Sequence, residues 1–293
     1  MALYATSAAH SLTFPAFNTW RGSPRDDIFF DCTGGATLGS AHAPNPENAI
    51  ASKVPPANLS FWVAKILATT VGETGGDSLS MTLNFGYAVS SLIFLGFFVV
   101  TLFLQLKSRR YHPVFYWAVV VATTTVGTTT SDYLDRTVGL GYVRSSLMLF
   151  TLVIAMLVIW RFSTGAIGVD HIVSRKNEVF YWVTILVSNT LGTAVGDFTA
   201  DTGLGFEKGA LIFAGLIALV AAAYYLTKLP RSVLFWSAYV LTRPLGATLG
   251  DTLTKPHVQG GLALGRIASS LTIAAAMILV VALTSQRRPE GAH

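Results

Sequence analysis

Long apolar segments alternate with semi-polar segments along most of the chain. Four segments are nearly free of charge, at 87–106, 145–160, 210–226 and 267–285. They approach the roughly 20 residues that a helix needs to cross about 30 Å of hydrocarbon. The segments between them mix apolar residues with Gly, Thr and Ser at helical spacing. This pattern predicts an all-α polytopic membrane protein with eight transmembrane helices.

Each semi-polar segment carries one set of residues at one spacing. An aromatic residue and a Trp open it, a Gly follows ten residues after the Trp, and an Asp follows five residues later. The four copies contain Trp62, Trp117, Trp182 and Trp236; Gly72, Gly127, Gly192 and Gly246; and Asp77, Asp132, Asp197 and Asp251. A small residue precedes each Asp, namely Gly76, Ser131, Gly196 and Gly250. The spacing predicts four tandem two-helix repeats in one orientation.

These Trp, Gly and Asp positions resemble a bacterial membrane-protein family built from four tandem two-span repeats of unknown function. The resemblance covers about residues 54–285 and implies a multi-pass protein of the bacterial inner membrane, with no activity attached. We expect repeats at 58–107, 113–162, 178–228 and 232–285, between a flexible tail at 1–53 and a short tail at 286–293.

Composition and charge agree with a membrane protein. Charged residues make up 12% of the chain, against roughly 25% in soluble domains. The net charge is +5, but the basic residues cluster in short loops, with eleven on the side of both termini and five on the other. This distribution predicts cytoplasmic termini and gives no indication of nucleic-acid binding. With Cys32 as the only cysteine, an intramolecular disulfide is excluded.

The repeat also predicts where its marked residues lie in a bilayer. The tryptophans would sit at the cytoplasmic interface as anchors, because their amphipathic rings suit the headgroup boundary. Fifteen helical residues later, at 1.5 Å per residue, each Asp would lie about 22 Å deeper. That depth is within the hydrocarbon core, towards its outer side.

The semi-polar helices should surround a polar centre. Residues at i, i+3, i+4 and i+7 share a helix face, which aligns the aspartates with Glu73 and with hydroxyls that include Thr128 and Thr193. The expected ligands form a stripe of six hydroxyls on this face: Thr70, Thr74, Thr125, Thr129, Thr190 and Thr248. The glycines lie in another sector as small-xxx-small pairs, which let helices approach closely. We therefore expect four semi-polar helices packed through glycines, with the apolar helices facing lipid.

Carboxylates inside a membrane are costly unless they are used. The basic residues expected at that depth are Lys65 and Arg243, which would leave three of the five acids without a countercharge. All-oxygen sites suit hard cations. The sequence therefore favours transport of a cation, either a divalent metal or one coupled to protons. The aspartates, Glu73 and the threonines would bind this ion without a cofactor.

Two alternatives stay open at this point. In the first, Lys65 and Arg243 bind a small anionic or organic solute while the acids carry protons. In the second, the protein is a membrane scaffold or stress protein, and the aspartates only hold helices together. An enzyme is not expected, because Thr74 and Ala194 replace the first glycine of the G-x-G-D signature of aspartyl intramembrane proteases. The sequence does not indicate the oligomeric state.

Overall fold

The computed structural model describes residues 53–108, 111–165 and 174–285. Both tails, apart from Lys53, and the arginine pairs at 109–110 and 287–288 lie outside these ranges. The described residues are helical, with turns and without strands, which confirms the all-α prediction. The long helices are α1 (Leu59–Asp77), α2 (Gly86–Lys107), α3 (Pro113–Asp132), α4 (Tyr142–Thr164), α5 (Arg175–Thr199), α6 (Gly205–Leu226), α7 (Arg231–Thr254) and α8 (Arg266–Ser285).

The repeated residues set where the helices begin and end. Asn58 caps α1 by accepting from the Phe61 N–H at 2.9 Å, and Pro113 begins α3, where its missing N–H costs nothing. The first three odd-numbered helices continue into five-residue π-helical turns beginning at Ser78, Tyr133 and Ala200. Repeat four departs from this pattern, because the chain leaves the helix at Lys255 and Pro256.

Glycines make the connection into the apolar helices possible. Gly86, Gly141 and Gly205 have φ values of 74°, 74° and 76° at the starts of α2, α4 and α6. This left-handed region is easily reached only by residues without a Cβ. The shared glycine of the first three repeats is therefore a requirement of the tight turn between the two helices.

The four semi-polar helices form a closed ring. Along it α1 packs on α3, α3 on α5, α5 on α7, and α7 on α1. The apolar helix of each repeat packs mainly on the semi-polar helix of the next repeat: α2 on α3, α4 on α5, α6 on α7, and α8 on α1. The last repeat thus returns to the first, and each repeat completes its packing with its neighbour.

The predicted glycines mark the contacts within this ring. In every repeat the glycine packs against the residue three positions before the glycine of the next repeat. The four contacts are Gly72 with Thr124, Gly127 with Asn189, Gly192 with Arg243, and Gly246 with Thr69. Four residues further along, Gly76 meets Thr128, Gly196 meets Ala247, and Gly250 meets Glu73. A Cβ at these glycines would collide with or crowd the neighbouring helix, so small residues set the helix spacing.

The peripheral helices carry the apolar exposed surface. Within the described residues four ranges are long and apolar enough to cross a membrane: Gly86–Lys107, Tyr142–Thr164, Arg175–Leu226 and Arg266–Ser285. The third range joins α5, a π-turn and α6. Large apolar side chains such as Leu92, Leu147, Leu211 and Leu271 are mostly exposed. Such a continuous apolar surface needs a lipid or protein environment.

Candidate functional site

Five layers of four side chains fill the interior of the ring. Each odd-numbered helix contributes one residue per layer at intervals of four, a spacing that keeps the side chains of successive layers next to each other on the helix surface. From the Trp end to the Asp end, the layers are Phe61, Tyr116, Tyr181 and Phe235; Lys65, Val120, Ile185 and Tyr239; Thr69, Thr124, Asn189 and Arg243; Glu73, Thr128, Thr193 and Ala247; and Asp77, Asp132, Asp197 and Asp251. All twenty side chains are buried.

The four aspartates meet in the last layer and share two bridging cations. Arg136 lies 3.0 Å from Asp132 and 3.3 Å from Asp197. Lys255 lies 3.2 Å from Asp251 and 3.3 Å from Asp77. Each cation stands four residues after an aspartate of its own repeat and also contacts the aspartate of the next repeat. The structure therefore brings the predicted quartet together, as two cation-bridged pairs.

The two pairs belong to one electrostatic cluster. Asp132 interacts with both Asp197 and Asp77, and Asp251 interacts with the same two residues. Lys255 is at the end of α7, where burial acts against its charged form. The carboxylates of Asp251 and Asp77 outweigh burial and raise the pKa of Lys255 above its ordinary value. Lys255 is therefore an ammonium ion at neutral pH, tethered between two carboxylates.

Arg243 connects all four helices in the preceding layer. From α7, its Nη2 donates to Glu73 Oε2 of α1 at 2.9 Å, to Thr193 Oγ1 of α5 at 2.6 Å, and to Thr128 Oγ1 of α3. Ala247 supplies the fourth position of this layer, and its small side chain packs beside Gly196 of α5. This layer therefore contains a fully buried ion pair between Arg243 and Glu73, and the hydroxyls of Thr128 and Thr193 also accept from Arg243.

Three carboxylates of the last two layers could hold one metal ion. Glu73, Asp77 and Asp251 each offer one oxygen, and these oxygens lie within 4.8 Å of one another. All three side chains are buried. Asp77 Oδ1 has no hydrogen-bond partner among the described residues. A set of carboxylate oxygens at this spacing suits Mg²⁺, Mn²⁺ or Ca²⁺.

The Trp end of the ring is closed by aromatic side chains. The Tyr116 and Tyr181 hydroxyls are hydrogen bonded at 2.9 Å, and the Phe61 and Phe235 ring centroids are 6.3 Å apart. Each ring of this layer also packs against the Trp of the next repeat: Phe61 with Trp117, Tyr116 with Trp182, Tyr181 with Trp236, and Phe235 with Trp62.

This packing corrects the interpretation of the tryptophans as headgroup anchors. Trp117, Trp182 and Trp236 are only 7%, 1% and 9% exposed, and Trp62 is partly buried in the same aromatic cluster. Their rings fill the spaces between helices at the Trp end. The repeat keeps a Trp because each unit must cover the aromatic ring of its predecessor.

The expected threonine stripe is also placed differently from the prediction. Its six members donate to carbonyls of their own helices; Thr70, for example, donates to Ile66 O at 2.9 Å. Thr74 accepts from Ser270 of α8, and the Thr248 methyl group faces Gly209 of α6. Thr74 and Thr248 therefore contact the peripheral helices, whereas Thr128 and Thr193 occupy the interior.

Arg136 and Lys255 are two of the five basic residues that the sequence analysis counted in the loops opposite the termini. Their i,i+4 spacing from Asp132 and Asp251 was visible in the sequence and is the signal that locates them. Ser131 is the one serine among the small residues that precede the aspartates, and its hydroxyl donates to Asp135 at 3.3 Å. The expected shortage of countercharges is therefore smaller than the sequence suggested.

The comparisons with known proteins support the repeat and assign no activity. A family model described as Repeat of Unknown Function (DUF347) matches four times, at residues 60–111, 115–166, 180–229 and 234–288. Searches of the curated proteins and of the solved structures find no match. Each matched segment contains one Trp–Gly–Asp pattern and one apolar helix. The chain therefore belongs to the family defined by this repeat of unknown function.

Proposed function

We propose that this chain is an integral membrane protein that crosses the bilayer eight times and transports a small cation through its ring of helices. The apolar exposed surface of the peripheral helices supports the membrane location. The semi-polar helices are shielded from lipid by these neighbours, so their polar residues face one another. A bilayer around the peripheral helices would cover their apolar side chains and leave the polar side chains of the semi-polar helices inside the protein.

The distribution of basic residues supports an orientation with the Trp end in the cytoplasm. Counted from Lys53 onward, eleven basic residues flank the helices on that side and five flank them at the Asp end, where Arg136 and Lys255 also contact the aspartates. Short loops rich in Lys and Arg stay in the cytoplasm. The aspartate layer then lies towards the outer face of what we propose is a bacterial inner membrane.

The charge balance of the aspartate layer carries the proposal of cation transport. Its four carboxylates face three cations within 4 Å: Arg136, Lys255 and Arg266, whose Nε is 3.6 Å from Asp77. Glu73 and Arg243 offset each other in the layer below. Among the described residues one carboxylate charge is left in surplus. A buried surplus charge is costly, so a proton or a hard cation should accompany it.

The two ends of the ring differ in access. Arg136 and Arg266 keep 36% and 26% of their side chains exposed at the Asp end. Tyr116 and Tyr181 are fully buried in the aromatic layer at the other end. We infer that this conformation receives the ion from the outer side. Release to the cytoplasm would then require the aromatic layer to open, which is the alternation that secondary transporters use.

Ion flux into proteoliposomes tests the proposal. We expect Mn²⁺ uptake by the wild type and a loss of at least about tenfold in Asp77→Asn and Asp251→Asn, since a lost charge contact at a buried site costs about 2–5 kcal/mol. The matched control is Asp201→Asn, since Asp201 is exposed on a π-turn. Equal uptake in all four proteins, or none above empty liposomes for Mn²⁺, Mg²⁺ or protons, would refute cation transport.

A second candidate is a scaffold that transports nothing. The contacts of Arg243 with three other helices favour it, because a single side chain ties the ring together. A scaffold predicts that Asp77→Asn and Asp251→Asn lower the thermal midpoint in detergent while all proteins, including the wild type, show only background flux.

A further inference from the structure

Two buried basic side chains lie nearer the Trp end of the ring than the aspartates do, without enough partners. Lys65 Nζ, Arg243 Nε and Arg243 Nη1 have no hydrogen-bond partner among the described residues, and both side chains are 0% exposed. Lys65 lies over the Tyr239 ring at 4.3 Å, a contact that stabilises a cation only in part. Leaving hydrogen-bond donors of charged groups unsatisfied inside a protein costs several kcal/mol.

The charges around these two side chains do not balance. Arg243 has one carboxylate partner, Glu73, at 2.9 Å. No carboxylate among the described residues lies within 4 Å of Lys65, which is close enough to Arg243 for the two to repel each other. With Lys65 protonated, one positive charge is in surplus here, opposite in sign to the surplus in the aspartate layer.

We propose that Lys65 and Arg243 bind one small monovalent anion of halide size inside the ring. An anion in contact with Lys65 Nζ and the free Arg243 nitrogens offsets the surplus charge and accepts their hydrogen bonds. The site is limited to a small ion because the fully buried Val120 and Ile185 complete the Lys65 layer. Chloride is the abundant ion of this class and serves as the probe.

The anion site shares Glu73, the partner of Arg243, with the proposed cation site, but its own ligands lie in other layers. Lys65 and Arg243 stand in the second and third layers, whereas the aspartates form the fifth layer. A variant of the aspartate layer therefore separates the two proposals. Asp251→Asn should lower cation uptake and leave chloride binding intact, while Lys65→Met should lower chloride binding whatever the cation assay shows.

Equilibrium binding of ³⁶Cl⁻ to the purified full-length protein tests the proposal, with gluconate holding ionic strength constant. We expect saturable binding to the wild type, to Lys65→Arg and to Lys208→Met, the control at an exposed lysine. Binding to Lys65→Met should be at least about tenfold weaker, because the substitution removes a buried charge contact with the anion.

The thermal midpoint gives a second readout that needs no labelled ion. Chloride should raise the midpoint of the wild type above its value in gluconate, because a ligand that binds the folded state stabilises it. The shift should vanish in Lys65→Met. Absence of saturable chloride binding to the wild type, or undiminished binding to Lys65→Met, overturns the anion site. The first of these results is independent of whether any variant folds.

Discussion

Arg243 Nη2 and Glu73 Oε2 are 2.9 Å apart, although 170 positions separate the two residues along the chain. The pair joins the last repeat to the first at the centre of the ring, where both side chains are buried. The guanidinium also reaches α3 on the opposite side of the ring through Thr128. The Arg243 side chain of repeat four therefore breaks the fourfold symmetry that four identical repeats would have.

Removing the charge of Arg243 should destabilise the protein strongly. In Arg243→Leu the Glu73 carboxylate is left buried without a partner, which costs about 3–5 kcal/mol. The double variant Arg243→Leu with Glu73→Gln should recover part of that loss, because the orphaned charge is gone. Thermal unfolding in detergent measures both proteins. An equal midpoint for the single and the double variant would mean that the ion pair does not set the stability of this layer.

Adding one methyl group at a ring contact should have a larger effect than adding one at the periphery. A Cβ at Gly246 would overlap Thr69 of α1, whereas a Cβ at Gly96 in α2 has nothing within 4 Å. Overpacking of this kind costs about 1–3 kcal/mol. We expect Gly246→Ala to lower the thermal midpoint and Gly96→Ala to leave it unchanged or raise it. The reverse order would contradict the closed ring of α1 and α7.

Lys255 should compete with a bound cation for the same oxygens. Its ammonium group lies within 3.3 Å of both Asp77 and Asp251, two of the three candidate metal ligands. Lys255→Met removes that competitor and adds one negative charge to the site. We expect Mn²⁺ to bind at least about tenfold more tightly, a gain of roughly 1.4 kcal/mol or more. Lys208→Met is the control at an exposed lysine, and unchanged or weaker binding in Lys255→Met would argue that Lys255 is structural.

The closed aromatic layer predicts asymmetric access to thiol reagents. Cys32 is the only native cysteine, so Cys32→Ser provides a cysteine-free background. In that background Arg136→Cys should react with a membrane-impermeant maleimide added outside, because Arg136 is partly exposed at the Asp end. Val120→Cys should react from neither side, because that position is fully buried between the aromatic and polar layers. Labelling of Arg136→Cys only from the cytoplasmic side would reverse the proposed orientation.

The ring was predictable from the sequence because each of its features repeats. The spacing from Trp to Gly to Asp placed the four glycines at helix contacts and the four aspartates in one layer, as expected from helical periodicity. The packing of each apolar helix on the following repeat was not predictable, since periodicity identifies the buried face of a helix and not its partner. This packing of each apolar helix on the next repeat places α8 of the last repeat against α1 of the first.

The parts of the site that departed from prediction depend on which neighbouring helix each side chain faces. Thr128 and Thr193 accept from Arg243 in the interior as well as donating to carbonyls of their own helices, whereas Thr129 and Thr190 donate to carbonyls of their own helices. Trp182 is amphipathic, but the ring of Tyr116 covers it more completely than a headgroup would. Such choices follow from the neighbouring helix and cannot be read from one segment.

An experimental structure determined with bound Mn²⁺ would show whether these carboxylates hold a metal, since anomalous scattering locates the ion independently of the fold. We expect one anomalous peak coordinated by oxygens of Glu73, Asp77 and Asp251, with the Lys255 ammonium displaced from its position between the two aspartates. A structure at saturating Mn²⁺ with no peak inside the ring, and with Lys255 still bridging Asp77 and Asp251, would contradict this expectation.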